Sequence, residues 1–343
     1  MRVAAILGPG SSTHDLKPFQ SDRVEWAIGL PASPQGLDAV LIFGGDGTVH
    51  RHLAALVKLA LPVLLVPAGS GNDFARALGL FRRRDSLEAW AAFVADRRNV
   101  RALDLGVITL IENRADIVAE PVPEGDAAMS HRNEYSEPKQ RPNDSEEGLG
   151  NAALDGRGRP SLHRQAEAGT ITYFSCAAGV GLDGEIARRA NALPRWLRAH
   201  GGYALSLPAA LLRFRPFVLQ LATAESDQSE FTPRTPQSIT AVVFANTPVY
   251  GGGMKIAPRA KLNDGQLDVC LIRDISKLKL LSVFPSVYFG RHLGLREVEY
   301  FSAPRVHVET EHPLDVYADG EYVCRTPVEI GVSKSALQLI VPN

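Results

Sequence analysis

The chain has 343 residues, 45% hydrophobic and 22% charged, which suits about two domains that fold without disulfide or metal staples. Lys+Arg is 37 against Asp+Glu 38, so there is no global basic field, which argues against a dedicated nucleic-acid binder but leaves room for a local basic patch. Cys176, Cys270 and Cys324 show no C-x-x-C spacing, which argues against a disulfide framework, a zinc site or a redox motif. The N-terminal apolar run is too short for a signal peptide. The longest apolar stretch, residues 59–68, is broken by Pro62 and Pro67. The expectation is a cytoplasmic protein that at most rests on the inner membrane surface.

Residues 3–7 read as a strand, followed by Gly8-Pro9-Gly10-Ser11. A second strand, 39–43, is bounded by Gly44-Gly45. Residues 50–60 carry Leu53, Leu56, Val57 and Ala60 at helical spacing. A third strand, 63–66, stops at Pro67. Short helices are expected at 73–78, closed by Gly79, and at 87–94. This alternation predicts a parallel sheet covered by helices. Residues 112–168 lose all periodicity and hold Pro121, Pro123, Pro138, Pro142 and Pro160, so they read as a largely disordered polar insertion. Strand patterns then dominate: 170–177, 217–223, 239–246, 267–272, 305–310, 314–318 and 337–341. Helical stretches interrupt at 184–193, 203–214 and 277–289. The expected fold class is α/β with two domains: a Rossmann-like α/β domain over 1–105 and, after the insertion, an antiparallel sandwich-like domain over 169–343.

The sharpest local signal is Gly44-Gly45-Asp46-Gly47-Thr48, between a buried strand and a helix. Ligands bind there in open α/β sheets, and glycines let backbone N–H groups approach oxyanions. Thr48 is a candidate helix cap. Asp46 cannot touch a phosphate directly, so it points to a bridging Mg²⁺ or to a substrate hydroxyl. The plain alternative is a tight turn with Asp at a favoured position. The next strand leads into Pro67-Ala68-Gly69-Ser70-Gly71-Asn72-Asp73-Phe74-Ala75-Arg76. By itself that loop reads as a capped helix start; beside the first it reads as half of a nucleotide site. No Walker A motif occurs. Gly179-x-Gly181-x-x-Gly184 matches the dinucleotide spacing, but after Glu185 the next acid is Glu225, too far on for a ribose contact. The dinucleotide reading is rejected.

Taken together, these motifs make the chain resemble the diacylglycerol kinase-like lipid kinases, in particular the soluble bacterial ones. Gly44–Thr48, Pro67–Arg76 with Ser70 in place of Thr, Asp104-Leu105-Gly106, Gly179–Asp183, Ala260–Leu267 and Asp319-Gly320-Glu321 follow in family order. The resemblance implies ATP and Mg²⁺ as cofactors. It implies that Gly44, Gly45, Asp46, Gly47 and Thr48 hold phosphates, with Ser70 and Asn72 beside the nucleotide. It implies a structural Mg²⁺ on Asp264 with the Lys261 and Gln266 carbonyls, and Asp104 in the metal network. Glu321 matches the family's proton acceptor, with Asp319 next to it; the bland reading of Asp319-Gly320 is a hairpin turn. The family opens with an Asn-Pro loop where this chain has Gly8-Pro9-Gly10-Ser11, and Phe174-Ser175-Cys176 replaces the usual Asn.

The implied partner is a lipid alcohol such as diacylglycerol, with a role in phospholipid biosynthesis and no nucleic acid; a homodimer is left open. The alternatives are an NAD kinase, against which Asn72-Asp73-Phe74-Ala75-Arg76 argues, and a weakly active nucleotide- or lipid-binding module. No acid occurs between Glu185 and Glu225, while Arg188, Arg189, Arg195, Arg198, Arg213 and Arg215 interleave with Trp196, Leu197, Leu205 and Leu212. Tyr203, Leu207, Leu211 and Phe214 belong to the same interleaved run. That pattern suits either an anionic membrane surface or an ordinary helix with a solvated arginine face.

Overall fold

The structure is a computed structural model describing residues 1–111, 169–194, 202–226 and 228–342. The expected insertion, 112–168, and the segment with Arg195, Trp196, Leu197 and Arg198 lie outside the described residues.

The first lobe contains β1 (Arg2–Leu7), β2 (Glu25–Ile28), β3 (Ala39–Gly44), α1 (Asp46–Leu59), β4 (Val63–Pro67), α2 (Asp73–Ala77) and α3 (Arg83–Asp96). Its strands run parallel in the order β2-β1-β3-β4. Ala39, Val40, Leu41, Ile42 and Phe43 are all buried, as expected for a strand covered on both faces. Val49, Leu53 and Leu56 turn the apolar stripe of α1 inward. The edge strand β2, half-buried and short, escaped the sequence reading.

Two long strands join this lobe to the next. β5 (Val100–Leu110) pairs antiparallel with β16 (Val328–Ile340) along most of their lengths. Val328, Ile330 and Val332 pack in the core of the second lobe, whereas Leu337, Leu339, Ile340 and Val341 pack in that of the first. The last strand therefore returns to the parallel sheet, with Leu339 opposite Val63 of β4. The crossing falls at an irregularity between Ser333 and Leu337, where Ser335 takes φ 52°.

The second lobe is antiparallel. It comprises β6 (Ile171–Phe174), β7 (Ala177–Gly181), α4 (Leu182–Ala192), β8 (Phe217–Ala224), β9 (Thr232–Pro233), β10 (Gln237–Ala245), β11 (Leu267–Arg273), β12 (Val298–Ala303), β13 (Arg305–Thr310), β14 (Asp315–Ala318) and β15 (Glu321–Arg325). Helices Gly202–Arg213 and Lys277–Val283 pack on one side of it. The α/β class with an antiparallel second half holds.

Several local expectations are corrected. The strand expected at 170–177 is split at Ser175-Cys176, because amides there turn aside to a carboxylate instead of a ladder. The helix expected at 277–289 stops at Val283 and continues as a 3-10 turn, Phe284–Phe289, since Pro285 supplies no N–H. Thr48 is not a cap: Gly45 precedes α1, and Thr48 is buried within its first turn. In agreement with the sequence reading, the Gly179–Gly184 spacing, which runs from β7 into α4, belongs to no dinucleotide-binding unit, because β7 is antiparallel to both β10 and β14.

Candidate active site

The carboxyl ends of β3 and β4 carry the two glycine loops side by side, with Gly44 opposite Pro67. The loops touch backbone to backbone: a Cβ on Gly45 would lie 2.7 Å from the Gly69 Cα, so only glycine permits this approach. Asn72 braces the second loop, accepting from Gly69 N–H at 2.9 Å and donating to the Gly69 carbonyl at 2.7 Å. Gly8-Pro9 lies against the same place, with Gly8 N–H donating to the Phe43 carbonyl at 2.7 Å. The loops floor a cleft of about 580 Å³ whose opposite wall comes from the second lobe, including Tyr203, Tyr250, Tyr317 and Asp319.

Asp46 is the first residue of α1 and faces this cleft. Its carboxylate accepts Asp73 N–H at 2.9 Å and Phe74 N–H at 3.1 Å, which ties α1 to the start of α2. Burial, then the nearby charges of Asp73 and Asp319, raise its pKa to about 6 against those two amides. Asp46, half-buried at the cleft, is thus a structural contact as well as a candidate catalytic group. Asp73 is buried; it accepts Gly252 N–H at 2.7 Å and pairs with Arg76 at 3.1 Å. Burial pushes its pKa up.

Asp319 and Gly320 take φ 49° and 84°, the backbone of a two-residue hairpin turn between β14 and β15. The turn reading and the site reading therefore coexist. The Asp319 side chain, fully buried, accepts Ser175 N–H at 2.7 Å, Cys176 N–H at 2.8 Å and the Ser175 hydroxyl at 3.0 Å. His50 Nδ1 lies 3.1 Å from it. Burial works against ionisation here, but His50 and the amides outweigh it and hold the Asp319 pKa low. For His50 burial pulls downward, yet the Asp319 bond, its charge and that of Glu321 leave the pKa raised. Glu321, exposed on β15, has Oε1 3.4 Å from where a Gly47 Cβ would stand, at the rim of the α1 N-terminus.

The cleft thus gathers Gly45, Asp46, Gly47, Thr48, Ser70 and Asp319, with Gly44 and Asn72 directly behind the loops and Glu321 at the edge. The second group, Asp104, Lys261, Asp264 and Gln266, does not line it. Asp104 is buried, and both its oxygens accept backbone amides, Gly265 at 2.8 Å and Ser335 at 2.8 Å. It locks the Asp264 loop onto the crossing point of β16. Asp264 is exposed and accepts Gln266 N–H at 3.2 Å. Among the described residues no three His, Cys, Asp or Glu side chains converge on one metal position.

Sequence reasoning missed His50, although it stands one helical turn after Asp46 and so on the same face of α1. It also missed the cluster in which Tyr203 and Tyr250 donate to the buried Asp183, whose pKa burial raises. Tyr250 carried no local signal; only the fold brings it there.

Residues 7–108 match the diacylglycerol kinase catalytic domain, and residues 176–341 match the YegS C-terminal NAD kinase beta sandwich-like domain. The diacylglycerol kinase of Mycobacterium tuberculosis is 30% identical over 312 residues, covering 91% of this chain and 79% of its own length. The chain belongs to the diacylglycerol kinase-like lipid kinase family. A diacylglycerol kinase of Bacillus subtilis is 24% identical, over 91% of this chain and 80% of its own. A solved diacylglycerol kinase structure from Bacillus anthracis covers 99% of this chain and 96% of its own with a TM-score of 0.58 at 15% identity, a likeness of fold. Within this family the matched segments are the lobe that carries both glycine loops and the lobe that carries Asp319 and Glu321.

Proposed function

We propose that this protein transfers the γ-phosphate of ATP to the hydroxyl of a lipid alcohol, with diacylglycerol the first candidate. The observation that carries the reading is the backbone contact of Gly45 with Gly69 under an open cleft, beside the half-buried Asp46. Phosphoryl transfer asks mainly for positioning and charge neutralisation, and a glycine floor at a helix start supplies donors for phosphate oxygens. Gly45, Gly47 and Thr48 would line the phosphates, with Gly44 supporting them from behind and Ser70 on the second loop. Glu321 at the rim would accept the proton of the attacking hydroxyl. Asp319, held by His50 and the amides at Ser175 and Cys176, would keep the hairpin that carries Glu321 in register.

Mg²⁺ fits these residues. The desolvation and neighbouring carboxylates that raise Asp46 would be offset by a cation, and Mg²⁺ commonly takes one or two carboxylates plus substrate phosphates instead of an all-protein cage. When bound it would neutralise charge on the transferring phosphate. A second Mg²⁺ on Asp264 with the Lys261 and Gln266 carbonyls suits the exposure of that carboxylate. Asp104 supports the loop through backbone amides and is better read as its anchor than as a ligand. The match of residues 7–108 to the diacylglycerol kinase catalytic domain and the Asn72–Arg76 segment within it favour a lipid acceptor over NAD.

The test is transfer of label from γ-labelled ATP to diacylglycerol in mixed micelles, with NAD offered in parallel. Labelled phosphatidic acid supports the reading; labelled NADP alone overturns it.

A further inference from the structure

The helix Gly202–Arg213 enters the cleft wall through Tyr203 and presents Leu205 and Leu212, seven residues apart and so on one face, to solvent. Lys277 Nζ donates to the Leu212 carbonyl at 2.8 Å, which sets the helix Lys277–Val283 beside it. That second helix exposes Leu278 and Leu281. Leu212 is 76% and Leu278 82% exposed. The chain runs on to Phe289, also exposed, with the Arg291 guanidinium 5.9 Å above its ring. The face is continuous with the cleft, because Phe284 and Tyr288 share one apolar cluster with Tyr203 and Tyr250.

Single exposed leucines are common and need no explanation. Here five large apolar side chains stand on two adjoining segments, four on the paired helices and Phe289 on the 3-10 turn after the second, and both segments are free of acids. One stretch lies between Glu185 and Glu225, the other between Asp274 and Glu297. Only the fold brings these two stretches together. The basic groups differ in availability. Arg188 and Arg189 pair with Glu185, and Lys279 and Arg296 with Glu297. Arg215, Lys277 and Arg291 are exposed on the acid-free segments. Apolar residues with a basic fringe and no acid between them match the charge and polarity of an anionic bilayer surface.

We propose that the paired helices Gly202–Arg213 and Lys277–Val283 dock this protein on an anionic membrane, with Leu205, Leu212, Leu278 and Leu281 entering the interface beside the cleft. The inference rests on the lipid-kinase reading only for its purpose; the docking itself is measurable without catalysis.

The experiment is co-sedimentation of the full chain with phosphatidylglycerol-containing vesicles and with pure phosphatidylcholine vesicles, at low and high salt. Binding is expected to rise with phosphatidylglycerol and to fall with salt. The double variant Leu212→Ser/Leu278→Ser, both at exposed positions, is expected to bind about tenfold more weakly or worse. Arg215→Gln/Arg291→Gln is expected to lose the phosphatidylglycerol preference. Circular dichroism checks that each variant is folded. Folded leucine variants that bind like the parent overturn the proposal, as does binding indifferent to both salt and phosphatidylglycerol. Phosphorylation of a short-chain, water-soluble diacylglycerol separates the two readings. If docking depends on the leucines but no lipid is phosphorylated, the surface stands and the kinase reading falls.

Discussion

His50 Nδ1 on α1 lies 3.1 Å from Asp319 Oδ2 on the β14–β15 turn, so a residue of the first lobe holds the hairpin of the second that carries Glu321. His50→Leu removes this contact and is expected to lower the rate of phosphate transfer about tenfold or more while leaving ATP affinity near the parent value. His50→Gln, which restores a donor, should recover part of the rate. The stability cost is expected to be about 1–3 kcal/mol. Because the His50 pKa is raised, its charged contribution is present below the ordinary 6.5 and is lost as pH rises through the raised value. The melting gap between parent and His50→Leu should therefore narrow toward alkaline pH. A gap that widens there would contradict the pairing.

Asp46→Ala is expected to abolish transfer. Because Asp46 receives two backbone amides, the substitution also perturbs the α1–α2 junction, so Asp46→Asn is the cleaner variant. The folded pKa of about 6 lies above the ordinary 3.8, so ionised Asp46 costs stability at neutral pH. That cost is absent in acid, grows between those two values and then levels at about 3 kcal/mol, since each tenfold loss of acidity on folding is worth roughly 1.4 kcal/mol. Asp46→Asn should be inactive yet gain melting temperature relative to the parent over this pH interval. Thermal scans from acid to neutral pH check the sign.

Glu321→Gln keeps the size of an exposed side chain and removes its proton-accepting carboxylate. Turnover is expected to fall about a hundredfold, with nucleotide affinity little changed. Full activity would move the proton acceptor elsewhere, with Asp46 next in line. Nucleotide titration alongside steady-state kinetics makes the distinction.

Asp104 and Asp264 should separate. Asp104→Ala leaves the buried Gly265 amide and the partly buried Ser335 amide without their acceptor and is expected to cost about 1–3 kcal/mol whether or not Mg²⁺ is present. Asp264→Ala, at an exposed position, should change stability little in chelator and should remove whatever stabilisation added Mg²⁺ confers on the parent. Denaturant melts with and without Mg²⁺ measure both. An Asp104 variant that is destabilised only in the presence of Mg²⁺ would restore it to the metal network.

Much of this protein is legible from local chemistry alone. The buried run Ala39–Phe43, the glycines after it and the helical spacing of Leu53 and Leu56 specify a strand, a tight loop and a helix whatever surrounds them. Asp319-Gly320 is a hairpin turn because both residues accept positive φ. The order of the motifs was enough to reveal the family. Packing between distant segments set the rest, because burial and partners depend on residues far along the chain. Asp46 and Asp319 read as loop acids, yet one is raised by burial and neighbouring carboxylates and the other held low by His50 and by amides of the 175–177 segment. Asp104 read as a metal group, yet its oxygens meet amides 161 and 231 residues away. Residues 337–341 read as one more strand of the second half, and only pairing across the sheet carries them back into the first core. Two acid-free stretches were both present in the chain, but a charge pattern has no geometry until helices pack. Their meeting on one face beside the cleft is a property of the fold.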